Sequence, residues 1–171
     1  MTDPVPKNIF KASAELLEAA KAKGVTIGVV ESCTGGLLGA AITAMPGSSA
    51  VFMGGLLTYS NALKTELADV TPASILAHGA VSDVVAGEMA QGGRERLGVD
   101  ICISITGIAG PGGGSKAKPV GTVFFGLSTA RGTSTDHQLF DASSRNRVRD
   151  YATIHAMKML RQAVAEIAAD R

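Results

Sequence analysis

The segment Glu31–Gly36 (ESCTGG) places two hydroxyl side chains, Ser32 and Thr34, directly before a pair of glycines. Where such a turn opens a helix, its hydroxyls and free backbone amides suit an anion or a developing oxyanion. The same residue types also cap helices without binding anything. The local pattern therefore leaves both roles open, a ligand site or a helix start.

A serine nucleophile and a lysine base can be drawn from two neighbouring segments. Ser48 and Ser49 follow a proline-glycine turn, and Tyr59, Asn61 and Lys64 are gathered within one short stretch further on. A lysine that loses its proton can activate a serine hydroxyl, as in some acyl-transfer enzymes. The alternative is that Lys64 is a solvated surface charge and that the two serines only form a turn.

A long loop, residues 107–119, follows Thr106 and is rich in glycine and proline. Glycines lack a side chain, so a flat ring or a sugar can approach such a backbone closely. The alternative is a surface loop without a ligand.

Three arginines, Arg145, Arg147 and Arg149, cluster where the last helix is expected to begin. The helix dipole disfavours cations at that end, which suggests a bound anion such as a phosphate. The alternative is that Asp141 and Asp150 neutralise them.

The cysteines and histidines give no pattern typical of a metal site. Cys33 and Cys102 lack a CxxC spacing, and His78, His137 and His155 are scattered along the chain. We therefore expect no metal and no cofactor. Cys33, at a helix start, is a rival nucleophile. No histidine lies near it in sequence, so buried packing is the favoured role.

Composition excludes several classes of function. Sixteen Lys and Arg against fifteen Asp and Glu leave a net charge of +1 in 171 residues, so no overall field attracts nucleic acid or an anionic membrane. No stretch approaches the ~20 apolar residues of a membrane helix. The first residues carry charges where a signal peptide needs an apolar core. We expect a single cytoplasmic domain, residues 1–171, with no nucleic acid or membrane partner.

Periodicity predicts an α/β fold. Helices are expected at 7–23, 37–45, 61–68, 72–78, 82–97 and near the end, and strands at 25–30, 51–59, 100–106, 121–130 and 133–140. This order favours a three-layer α/β/α sandwich with a mixed, mostly parallel sheet. We expect the loops 31–36, 46–49 and 107–114 to meet at one edge of the sheet, where open α/β folds bind ligands.

Five segments together resemble the CinA C-terminal family: VESCTGG, PGSSAVF, GLLTYSNALK, HGAVSDVVAGEMA and ITGIAGPGGGSKAKPVGTVFFG. The likeness runs from about Val25 to the last helix. It implies a metal-independent α/β/α domain that commonly forms homo-oligomers and converts nicotinamide mononucleotide and water to nicotinate mononucleotide and ammonia. Family members often carry a further N-terminal domain with a molybdopterin-binding-like fold, so only the deamidase part is expected here.

The resemblance also assigns roles to residues. It implies Ser49 as the nucleophile, Lys64 as its base and Tyr59 as a support for proton transfer, with Ser32 and Thr106 completing the catalytic set. The nucleotide substrate would be held by Thr34, Gly35, Gly36, Ser48, Asn61, Gly107, Gly110 and Arg145. The alternative function is a catalytically silent nucleotide-binding module that uses the same loops for regulation.

Overall fold

The computed structural model describes residues 6–168 and contains five strands and six α-helices in that range. In chain order the elements are α1 (Lys7–Lys23), β1 (Ile27–Glu31), α2 (Leu37–Thr43), β2 (Phe52–Leu57), α3 (Asn61–Ala68), α4 (Pro72–His78), α5 (Asp83–Leu97), β3 (Ile101–Gly107), β4 (Thr122–Thr129), β5 (Gly132–Leu139) and α6 (Arg145–Ala168). The predicted elements are all present, with ends that shift by a few residues. No described helix is long and apolar enough to cross a membrane.

The strands form one mixed sheet in the order β2-β1-β3-β4-β5. β1 pairs in parallel with β2 and β3, whereas β4 runs antiparallel to both β3 and β5. All strands except β4 therefore point the same way. β1 is buried along its whole length because it lies between two strands and under helices on both faces. The predicted α/β fold with a mixed sheet is confirmed.

Helices cover both faces of the sheet. α1, α2 and α6 pack together on one face, and α5, supported by α3 and α4, covers the other. Apolar side chains fill the first interface, among them Ile103 and Leu160, and a smaller cluster that includes Val30 and Met89 fills the second. Burial of these side chains is the main favourable contribution to folding. Both layers fix the three parallel strands whose ends form the site.

One expected loop lies at the other edge of the sheet. Ser48–Ala50 form a short 3₁₀ turn that leads into β2, and Val51 accepts a hydrogen bond from Ile27 N at 2.7 Å, at the beginning of β1. Loops 31–36 and 107–114 instead leave the ends of β1 and β3. The prediction that all three loops share one edge is therefore wrong for 46–49.

Glycine allows α5 to approach α3 closely. A Cβ at Gly92 would lie 2.1 Å from the carbonyl oxygen of Ala68, a backbone atom that cannot move freely. A Cβ at Gly87 would meet only two methyl groups, Thr135 Cγ2 at 3.4 Å and Thr133 Cγ2 at 3.8 Å. Both glycines lie inside the same helix. The chain therefore contains a matched pair of helical positions that differ in the space available.

We predict that Gly92→Ala lowers the free energy of unfolding by roughly 1–3 kcal/mol, as overpacking does. Gly87→Ala is expected to be neutral or to raise it by up to ~1 kcal/mol, because alanine is the better helix former. Urea unfolding followed by circular dichroism measures both. Equal effects of the two substitutions would contradict this account of the α3–α5 contact.

Candidate active site

A cavity of about 210 Å³ lies where the three parallel strands end. Ser32 follows β1, Tyr59 follows β2 and Thr106 lies near the end of β3. Four other residues predicted for the site also line this cavity, namely Asn61, Lys64, Gly107 and Arg145. The fold thus brings together residues that are far apart in the sequence.

The amine of Lys64 is buried against Ser32. The side chain is 1% exposed, and Nζ donates hydrogen bonds to Ser32 Oγ at 3.0 Å and to the carbonyl oxygens of Thr58 and Tyr59 at 2.7 and 3.5 Å. Its position follows from α3, which begins beside the end of β2 with Ser60 as its N-cap. Lys64 in the first turn therefore points back toward the strand ends.

Burial changes the protonation of this amine. Desolvation lowers the pKa of Lys64 from 10.5 to about 8, and the neighbouring thiol of Cys33 opposes the shift. An amine with a pKa near 8 is partly neutral under physiological conditions, so Nζ can accept a proton. The amine and Ser32 Oγ have the contact required of a base and a hydroxyl nucleophile.

The turn that carries Ser32 is fixed at both ends. Ser32 N donates to the carbonyl of Ile105 at 3.0 Å, which ties it to β3. The buried carboxylate of Glu31 accepts from the amides of Gly36, Leu38 and Gly39 at 2.8–3.1 Å. Those amides open α2, where a negative charge is favourable. The result is a strand, a serine, a tight turn and a helix, an order that exposes a nucleophile in other hydrolases.

Two backbone amides of this turn donate to no other described residue, although the Cys33 N–H contacts its own sulfur. In the part of the chain that the structure describes, the N–H groups of Cys33 and Thr34 donate to no oxygen of another residue. Cys33 also lines the cavity. An amide directly after a nucleophile is well placed to stabilise an oxyanion.

Arg145 joins two walls of the cavity. Its Nη1 donates to the carbonyl of Gly110 at 2.7 Å and its Nη2 donates to Tyr59 Oη at 3.0 Å. Gly110 thus touches the site through Arg145. Because Tyr59 Oη accepts this bond, its own proton is free to be donated.

The remaining predicted residues divide into near and remote ones. Thr34, Gly35 and Gly36 lie in the turn after Ser32 and stand next to the cavity without lining it. Ser48 and Ser49 lie beside the start of β1, so the five residues of that strand, at ~3.3 Å each, place them on the order of 16 Å from Ser32. Within one chain Ser49 therefore does not contact Lys64, and the predicted pairing with that base is not formed there.

One wall of the cavity was not predicted from the sequence. Ala80 and Val81, from the HGAVS segment between α4 and α5, line the cavity. Thr106 Oγ1 donates to the carbonyl of Ala80 at 2.8 Å, and Lys118 Nζ donates to that of Val81 at 2.6 Å. Small apolar residues carry no chemical signal, but their place in the HGAVSDVVAGEMA segment was the available clue.

Cys33 does not serve as the rival nucleophile. Burial raises the pKa of its thiol to about 12, so the thiolate needed for attack is scarce at neutral pH. The nearby amine is also bonded to Ser32.

A larger groove of about 460 Å³ lies between β5 and α6. Its central polar groups, His155 and Asp136, are hydrogen bonded to each other at 2.6 Å. Among the described residues, no three His, Cys, Asp or Glu side chains converge to hold a metal ion. The nucleophile and base pair therefore singles out the cavity at the strand ends.

Comparison with known proteins places the chain in a family. The CinA C-terminal domain family matches residues 10–164. The chain belongs to this family. Among CinA-like proteins, that of Mycolicibacterium gilvum is 45% identical over 168 residues, which are 96% of this chain and 40% of the relative. The chain spans about a third to two fifths of the length of several such relatives.

Two further CinA relatives match along almost their whole length. The nicotinamide-nucleotide amidohydrolase PncC of Escherichia coli is 43% identical over 162 residues, 95% of this chain and 96% of PncC. The crystal structure of the competence/damage inducible protein CihA from Agrobacterium tumefaciens superposes with a TM-score of 0.91 at 33% identity, covering 96% of this chain and 99% of CihA. The fold of this CinA domain is thus that of solved relatives.

We predict that the amine of Lys64 titrates near pH 8 in the folded protein. NMR of ¹³C-labelled lysine follows the titration, and the resonance missing from Lys64→Met identifies the group. The unfolded chain holds this proton up to about pH 10.5. Between pH 8 and 10.5 the unfolded state therefore binds more protons, and stability from this group rises with pH. A midpoint near 10.5 would contradict the burial argument.

Proposed function

We propose that this CinA domain is an amidohydrolase that converts nicotinamide mononucleotide and water to nicotinate mononucleotide and ammonia, a step of pyridine-nucleotide salvage. The observation that carries the proposal is the 3.0 Å contact between Ser32 Oγ and the buried amine of Lys64. The named activity of the E. coli relative PncC supports the substrate. In this proposal Ser32 is the nucleophile, the role that the family resemblance implied for Ser49.

The first half of the reaction forms an acyl-enzyme. A neutral lysine amine has one lone pair and two N–H groups, so it can accept the Ser32 proton while still donating to the carbonyls of Thr58 and Tyr59. Ser32 Oγ then attacks the carboxamide carbon. The Cys33 amide stabilises the resulting oxyanion. Lys64 returns the proton to the amide nitrogen, the C–N bond breaks and ammonia leaves.

The second half releases the acid. Lys64, again neutral, takes a proton from water, and the hydroxide attacks the ester carbon on Ser32. The C–O bond to the serine breaks, and Ser32 Oγ recovers its proton from Lys64. Tyr59, whose hydroxyl proton is free, supports these transfers at the mouth of the cavity.

The size of the cavity suits a pyridine carboxamide. At about 210 Å³ it is smaller than the ~300 Å³ at which drug-sized pockets begin, so it suits the ring and leaves ribose and phosphate outside. The described residues that line it include Lys64 and Arg145 and no carboxylate. A pyridinium ring held there disfavours the protonated amine further.

The residues around the cavity indicate which groups would contact each part of the substrate. Thr106 Oγ1 uses its proton on Ala80, so its lone pairs can accept from the carboxamide NH₂. Asn61 and Gly107 line the cavity that would receive the ring. Arg145 uses two N–H groups within the protein, and its remaining donors are available to the 5′-phosphate. A cytoplasmic location stays a prediction from the first residues of the sequence, and a homo-oligomeric state stays a prediction of the family resemblance.

Ammonia release tests the proposed function directly. Purified protein is incubated with nicotinamide mononucleotide, ammonia is measured by a coupled assay, and binding is measured by calorimetry. Ammonia formation supports the amidase. Tight binding without ammonia would instead favour the silent regulatory module.

We predict that Ser32→Ala lowers turnover by about 10³-fold or more, because the nucleophile is lost, while substrate binding persists. Ser49→Ala is the matched control, the same change in the turn before β2, and is expected to keep near-normal turnover. Steady-state ammonia release measures both variants. An inactive Ser49→Ala beside an active Ser32→Ala would overturn the assignment.

We predict that kcat/KM rises with pH along an acid limb whose pKa is about 8, the pKa of Lys64 in the substrate-free protein. Lys64→Arg is expected to be inactive, because a guanidinium is not deprotonated in this range. Lys116→Arg, in the exposed loop, controls for the change of cation. Normal turnover of folded Lys64→Arg would show that the residue supplies only charge.

A further inference from the structure

The turn that presents Ser32 is fixed at its two ends, by Ile105 and by Glu31, but its middle contains two glycines. Gly35 and Gly36 have φ angles of +62° and +91°. Glycine adopts many other conformations at little cost, so these two positions do not themselves fix the turn. Glu31 holds only the side that faces α2.

Arg149 of α6 holds the other side. Its Nη2 and Nε donate to the carbonyl oxygen of Thr34 at 2.9 and 3.3 Å. Thr34 is fully buried and Arg149 is half-buried, so both bonds are partly shielded from water. The neighbouring Val148 is buried in the core and fixes this turn of α6.

A chain of hydrogen bonds links this contact to the nucleophile. The peptide group between Thr34 and Gly35 accepts from Arg149 at its oxygen, and its N–H donates to the carbonyl of Ser32 at 3.0 Å. That carbonyl belongs to the same peptide group as the N–H of Cys33. The Thr34 carbonyl also accepts from Leu37 N at 3.3 Å, so the guanidinium and the start of α2 together orient two successive peptide planes.

We infer that Arg149 is a positioning residue for the reaction proposed above, because it orients the Ser32–Gly36 turn through the Thr34 carbonyl and thereby aims the Cys33 amide. The inference rests on the proposed function. Arg149 is not among the residues lining the cavity, whereas Arg145 is. The arginine cluster at the start of α6 suggested a bound anion. For Arg149, the partner is instead the backbone carbonyl of Thr34.

Chain geometry also supplies a matched control. Arg147 lies on the same turn of α6 but is exposed and pairs with Asp141 at 3.0 Å. Arg147→Met and Arg149→Met make the same chemical change two residues apart. Arg149→Lys keeps the charge and loses the planar fork that places two N–H groups on one oxygen.

Steady-state kinetics on nicotinamide mononucleotide give the first test. We expect Arg149→Met to lower kcat by about 10- to 100-fold with little change in KM, the size of effect produced by a small misplacement of reacting groups. Arg149→Lys is expected to stay closer to Arg149→Met than to wild type, and Arg147→Met to match wild type. A raised KM with kcat retained, restored by lysine, would show instead that Arg149 binds the substrate's phosphate and would overturn the inference.

A thiol measurement tests the turn without any substrate. Cys33 lies in the turn and is 6% exposed, and the other cysteine, Cys102, is fully buried in β3. We expect a thiol reagent to label Cys33 several-fold faster in Arg149→Met and in Arg149→Lys than in Arg147→Met, with Cys102 unchanged, as mapped by mass spectrometry of peptides. Unchanged labelling of Cys33 in both Arg149 variants would overturn the inference. If wild type releases no ammonia, the proposed function fails while this measurement still decides the role of Arg149 in the turn.

Discussion

A buried lysine amine must find acceptors, and in this chain the acceptors are the ends of strands. Lys64 Nζ meets the carbonyls that follow β2 and the hydroxyl that follows β1. An unpaired amine at this depth would be costly, so α3 must begin where it does and β1 and β2 must end together. The same burial lowers the pKa of the amine to about 8. One interaction thus fixes local structure and creates the base.

The parallel strands explain why sequence reasoning found most of the site. Ser32, Lys64 and Thr106 follow or end strands whose apolar runs are easily recognised, and parallel strands deliver their ends to one edge. Element order, helix caps such as Ser82 and the hairpin between β4 and β5 likewise follow from short-range patterns. These features depend on local propensity, which a single sequence records.

The error over Ser49 has a different cause. A loop before a strand and a loop after it look alike in composition, since both are rich in glycine and serine. Only the direction of the strand decides which edge the loop reaches, and β2 runs away from Ser49 toward Tyr59. The small residues Ala80 and Val81 were missed because a wall made of backbone and methyl groups has no pattern in a sequence.

The arginines at the start of α6 show how a charge can be misread when its partner is a backbone atom. A sequence lists charged side chains but not carbonyls without a partner, so Arg145 and Arg149 suggested an external anion. In the fold they bond the carbonyls of Gly110 and Thr34, which lie in two different loops around the cavity. A helix that packs against the sheet through its apolar stripe therefore also fixes the glycine-rich loops, which glycine itself leaves flexible. The rigidity that a serine and lysine pair requires comes, in this chain, from outside the strands that carry the pair.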